Sequence, residues 1–192
     1  MKEIYTVEAL QHALAGGLRP KYLYFWGHRP RVPGQIDKSC LSNWYPASFE
    51  VDGQAYPSVE HYMMASKARL FGDQAREHQV LKASSPGEAK SIGRKVRGFE
   101  EETWRKHRFQ IVTDGCVAKF SQNLDLKEFL LTTGSRVLVE ASPVDRIWGI
   151  GMASDDPNSL KPSHWRGENL LGFALMQART RLNEQLKVYD NV

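Results

Sequence analysis

Apolar residues recur along this chain with two different periods, and the switches between the periods lay out its elements. In residues 1–18, Ile4, Val7, Leu10 and Leu14 fall at helical spacing until Gly16-Gly17 breaks the pattern, which predicts a short amphipathic helix. Residues 21–26, KYLYFW, are compact and aromatic and read as a strand; the following GHRPRVPG excludes regular structure through its prolines and glycines. Phe49 and Val51 alternate with polar neighbours, Asp52-Gly53 is a strong turn pair, and Gln54-Ala55-Tyr56 returns, so 49–56 is a hairpin.

Ser58 has the chemistry of an N-cap for a helix running to about Leu70. Further helices are predicted over 73–82, 85–96, 99–122 and 124–131, with Pro86 in a first turn and Gly98 as a stop. The β-branched run VLVE at 137–140 is a strand. Residues 141–162 then form a loop around Trp148, long enough that such loops more often carry function than not. Leu170, Leu171, Ala174, Leu175, Ala178 and Leu182 mark a core-facing helix over 168–186, which leaves KVYDNV as a frayed tail. The expected fold class is α+β, a mainly helical single domain with a small antiparallel sheet. It would consist of an N-terminal extension helix (1–20), the domain itself (21–186) and a tail (187–192).

One helix breaks the polar and apolar order. At about 100° per residue, Glu60, Met64, Lys67 and Phe71 share a narrow face of 58–71 with Met63 beside them, so two opposite charges lie in an apolar stripe. Burying either charge without a partner costs several kcal/mol. The pattern is met equally by charges that reach past the rim or pair with each other, and by two working groups facing a cleft. In the second case, a lysine stripped of water has a lowered pKa, and its free amine is a nucleophile toward a carbonyl or imine; a nearby carboxylate can shuttle the proton.

Composition narrows the class and little more. The 192 residues are 41% hydrophobic and 25% charged, with 26 Lys and Arg against 22 Asp and Glu, which excludes collagenous, disordered and membrane classes. The charge of +4 permits phosphorylated ligands without requiring them. Cys40 and Cys116 fit no metal spacing and are too few for a disulfide framework. With no secretory leader and no apolar run of membrane-spanning length in view, a cytoplasmic setting is expected. Phosphate-loop, dinucleotide, HExxH and paired CxxC motifs are absent, and the histidines lack ligand spacing, so no metal or cofactor is expected. Two loop features remain. Asp145 and Trp148 stand three residues apart, as a turn-capping acid with a core ring or as an acid and a stacking platform. Asn43 either closes a turn or hydrogen-bonds a ligand.

The run SNWYPASFEVDGQAYPSVEHYMMASKARLF at 42–71 resembles the NADAR family, also called YbiA-like. So do, in the same order, SPGEAKSIGRKV, Trp104, Lys119-Phe120, LVE, Asp145 with Trp148-Gly149, and NLLGFALMQAR. The likeness extends over about residues 22–182. It implies an N-glycosidase. Members are similar in hydrolysing phosphoribosylamino-pyrimidine intermediates of riboflavin synthesis or in removing ADP-ribose from modified guanine. The resemblance implies Lys67 as nucleophile, Glu60 as proton shuttle, and Asp145 as a second acid/base or a ribose-hydroxyl ligand. Phe25, Ser42, Asn43, Trp104, Trp148 and Gly149 would line the pocket. ADP-ribosylated guanine, free or in nucleic acid, is the leading expected substrate; a riboflavin intermediate and a non-catalytic ADP-ribose-binding module are the alternatives. Residues 28–40 are longer and more basic than the link expected there. Arg29, Arg31 and Lys38 are therefore candidates for contacts with the phosphates of a nucleotide or of DNA or RNA, beside the plainer reading of a solvated loop. Oligomeric state is not legible.

Overall fold

The computed structural model describes residues 4–189, except the side chains of 188 and 189. Its elements are α1 (Val7–Ala15), β1 (Tyr22–Phe25), β2 (Phe49–Val51), β3 (Gln54–Tyr56), α2 (Val59–Leu70), α3 (Gln74–Leu81), α4 (Pro86–Gly93), α5 (Glu101–Gln122), α6 (Leu124–Thr132), β4 (Val137–Glu140) and α7 (Leu170–Tyr189). The class is α+β, as expected. The chain gathers into two compact units: unit 2 is Asn43–Leu124, and unit 1 combines the residues up to Ser42 with those from Asp125 onward.

In unit 2 the hairpin forms where the alternation places it, pairing Phe49 with Tyr56 and Val51 with Gln54. Asp52 and Gly53 both take positive φ, 52° and 75°, the left-handed pair that a tight two-residue turn requires. Gln122 at the end of α5 lengthens this small sheet with its side chain. Its Nε2 donates to Glu50 O and its Oε1 accepts from Glu50 N, both at 2.8 Å. Ser58 and Ser85 cap α2 and α4 from an extended backbone, and the Asp73 side chain caps α3 by accepting from Arg76 N. Around α2 the packing is close enough to demand glycines. A Cβ on Gly93 of α4 would stand 2.1 Å from Met64 Sδ, and one on Gly115 of α5 would stand 2.7 Å from Tyr62 Cδ1. The SIG step that reads as mid-helix in sequence is thus the point where α4 meets α2, and α4 ends at Gly93, sooner than expected.

Unit 1 corrects the sheet. β1 and β4 run parallel, Tyr22 opposite Val137 and Phe25 opposite Glu140, where an antiparallel pairing was expected. Alternation cannot report strand direction, and the 111 residues between the strands easily accommodate the crossover that a parallel pair needs. Val137, Leu138 and Val139 are all buried, in keeping with the continuous apolar run of a covered strand. α7 lies against β4, with Gly172 so near that a Cβ there would stand 2.1 Å from Leu138 O. α1 starts later than its apolar spacing suggests, capped by Thr6, while Ile4 ahead of it is nonetheless buried. Gln11 ties α1 to Pro162 O. The long loop contains two 3-10 turns, Pro157–Leu160 and Pro162–His164. The expected fraying of the tail is corrected in part: α7 continues through Tyr189, and residues 190–192 lie outside the described residues.

Candidate active site

In unit 2 the mixed stripe of α2 is real and largely buried. Glu60 is 3% exposed, Met63 2% and Met64 7%, and Lys67 is half-buried. Seven residues of helix put Glu60 and Lys67 about 10 Å apart along the axis, two turns on one face. Glu60 sits in the first turn, and its backbone N–H donates to Asn43 O at 3.0 Å. Asn43 thereby lies against the start of α2. Its side chain is buried, and its Oδ1 meets no hydrogen-bond donor among the described residues.

Lys67 points into rings. Its Nζ is 4.1 Å from the centroid of Phe99 and 5.6 Å from that of Trp104, and Phe71 stands edge-on to Phe99 at 5.3 Å. Burial pushes the Lys67 ammonium below its ordinary pKa; Glu101 opposes that shift and Arg94 adds to it. Ring faces act in the opposite sense and favour the charged form. Trp104 is 8% exposed in the first turns of α5. One turn further, on the same face, Arg108 is 4% exposed.

Unit 1 holds the other residues named from the sequence. Phe25, buried at the end of β1, accepts from Ala141 N. Ser42 closes the 3-10 turn Lys38–Leu41. Asp145 is turn-capping in this structure: its Oδ1 accepts from Ile147 N at 2.9 Å and Trp148 N at 2.8 Å. The Trp148 ring is half-buried, so it is not the core residue of the plainer reading. Gly149 is there because nothing larger fits, since a Cβ would stand 2.8 Å from Glu140 O. Asn169 supports this corner. Wholly buried at φ 53°, it accepts from Glu140 N and donates to Leu138 O, both at 2.9 Å, while its own N–H donates to Gly149 O. Phe25, Glu140, Gly149 and Asn169 are therefore one connected set.

Three residues of the site region were not singled out from sequence: Phe99, Arg108 and Asn169. Arg108 carried a usable signal, standing four residues after Trp104 on one helix face. Phe99 did not, because it precedes α5 and meets Lys67 only through the fold. Among the described residues, no three or more His, Cys, Asp or Glu converge as metal ligands, and no helix is long and apolar enough to cross a membrane.

Comparison with known proteins adds to this geometry. The profile of the NADAR domain matches residues 24–183, through both units. N-glycosidase R617 of Acanthamoeba polyphaga mimivirus is 42% identical over 164 residues, covering 83% of this chain and 95% of the viral protein. N-glycosidase YbiA of Escherichia coli K12 is 32% identical over 76% of this chain and 82% of its own. The NMR structure of Escherichia coli YbiA superposes with a TM-score of 0.70 at 28% identity, covering 88% of each chain. A Vibrio vulnificus protein named riboflavin biosynthesis protein VVA0006 is 33% identical over 75% of this chain, which spans 35% of that longer protein.

Proposed function

We propose that this chain, which belongs to the NADAR domain family, is an N-glycosidase that hydrolyses the bond between ribose C1 and an exocyclic amine, with ADP-ribosylated guanine as its substrate. The observation that carries the reading is the Lys67 amine, half-buried against Phe99 and Trp104 with its pKa lowered by that burial. An amine held closer to its neutral form is suited to attack carbon.

The chemistry follows from the substrate bond. A ribose joined at C1 to an exocyclic amine can open to an imine. The Lys67 amine adds to C1, and the C1–N bond to the base breaks as the leaving nitrogen takes a proton, giving free base and a lysine–sugar Schiff base. Water then adds to C1, the C1–Nζ bond breaks, and the sugar leaves with lysine restored. The net change is one water consumed, one amine released and one sugar hydroxyl formed. Glu60, two turns back on the same helix face, supplies and recovers the protons. Asp145 acts as a second acid/base or a ribose-hydroxyl ligand. The family likeness assigns ring contacts to Phe25, Trp104 and Trp148, ligand orientation to Asn43, whose Oδ1 is unmet, and lining roles to Ser42 and Gly149.

A riboflavin-pathway phosphoribosylamino-pyrimidine presents the same C1–amine bond and is the second reading, favoured by the likeness to the Vibrio protein. A binding module without activity is the third. Incubation with ADP-ribosylated guanosine under borohydride separates them. The expected result is a sugar adduct on Lys67, with unmodified guanosine and ADP-ribose released when borohydride is omitted and a loss of about a thousandfold or more in Lys67→Ala. Absence of both adduct and release would overturn the enzyme reading, and an adduct persisting on Lys67→Ala would overturn the nucleophile. Turnover of the pyrimidine substrate alone would move the assignment to the second reading.

A further inference from the structure

Unit 1 contains a cavity of about 820 Å³ that the proposed chemistry does not use as a whole. Its lining includes Trp26, Arg29, Arg31 and Lys38 from β1 and the loop after it. Trp26 is 59% exposed, an unusual position for the most costly ring to leave in water, and the three cations are exposed beside it. The loop is held in place and not merely solvated. Asp37 accepts from Arg31 N at 2.9 Å and Ser39 N at 2.8 Å, and Lys38 Nζ donates to Tyr24 O at 2.9 Å. One of the two acidic groups of the lining, Asp37, is thus directed at the loop's own backbone, and three cations face an open groove with a bare indole at its edge.

We propose that this groove binds single-stranded nucleic acid, with Arg29, Arg31 and Lys38 on its phosphodiesters and an unpaired base stacked on Trp26. A positively charged track with an accessible aromatic face is the chemistry that strand binders use, and only unpaired bases offer a free face to the ring. The groove shares Phe25 with the residues assigned above to the sugar pocket. Its purpose rests on the glycosidase reading, because it would hold the strand that carries the modified base. Its existence does not.

The test is fluorescence anisotropy of the full chain with an unmodified, labelled single strand of about ten nucleotides, within the usual span of strand sites. Binding should weaken with salt at a log–log slope of about −2, the value for three phosphate contacts on a single strand. Arg29→Glu with Arg31→Glu should lower the affinity at least tenfold and flatten that slope, and Trp26→Ala should lower it about tenfold. All three changes lie on exposed side chains, and melting curves check the fold. Unchanged affinity in both variants would overturn the proposal, as would a duplex bound as well as the single strand. Displacement of the strand by free ADP-ribose at equal phosphate would also overturn it, giving the cations to the nucleotide's own diphosphate. A wild-type chain that binds the strand through these residues but releases no ADP-ribose from ADP-ribosylated guanosine would leave the groove standing and remove the glycosidase. Release of ADP-ribose from an ADP-ribosylated mononucleotide without strand binding would do the reverse.

Discussion

Lys67 Nζ lies 4.1 Å from the centre of the Phe99 ring, one ring in front of the half-buried amine and Trp104 beside it. The amine is therefore shielded from water by side chains from two different segments, while its charge balance is set by two exposed residues of opposite sign, Glu101 and Arg94. Those two residues can be changed without touching the rings.

Glu101→Gln removes a charge that favours the ammonium, so the rise of single-turnover rate with pH should move to lower pH. Arg94→Gln removes a charge that disfavours it, and the same rise should move to higher pH. Both displacements should shrink in high salt, because both charges face solvent. Parallel movement of the two profiles would separate the rate from the Lys67 proton.

Close approach makes two glycines stability residues. Gly172→Ala drives a Cβ to 2.1 Å from Leu138 O, a backbone atom of β4 that cannot step aside. A loss of about 3 kcal/mol or more is expected in urea unfolding. Gly93→Ala meets Met64 Sδ at the same distance, but a thioether can rotate. Its loss should be smaller, about 1–2 kcal/mol, and partly recovered when Met64 is also made Ala.

His61 is 1% exposed, with Nε2 3.2 Å from Ala83 O and Nδ1 2.8 Å from Ser58 Oγ. The carbonyl requires N–H at Nε2, and in the neutral ring that burial favours, Nδ1 accepts from the serine. Burial holds its pKa below the ordinary 6.5, with Ala83 and Glu88 opposing. The unfolded chain then takes up the proton at higher pH than the folded one. Stability from this residue is complete above about 6.5 and falls as pH drops through that value toward the folded one. Between pH 7.5 and 5 the wild-type urea midpoint should decline more than that of His61→Gln; equal declines would count against the neutral ring.

Asn169→Ala leaves Glu140 N–H and Leu138 C=O, both inside the β4 corner, without their side-chain partner. A loss of about 3 kcal/mol is expected, from two unmet groups and an alanine at φ 53°. Asn169→Gly relieves only the backbone and should recover less than half.

Local chemistry was legible from the residues alone where it is local in cause. The hairpin at Asp52-Gly53, the Ser58 cap and the extent of α2 follow from backbone preference and hydrogen bonding within a few residues, and they stand where the pattern puts them. So did the anomaly of Glu60 and Lys67 in one stripe, which periodicity reveals but cannot interpret. Only the tertiary structure decided that β1 and β4 run parallel, because a strand's alternation is the same in either direction. Only it brought Phe99 to Lys67 and Gly93 to Met64, contacts between segments whose spacing in the chain obeys no period. And it turned Asp145, equally readable as an acid or a cap, into a carboxylate that first of all holds its own turn, since which donors surround a short side chain depends on the fold of the loop and not on its composition.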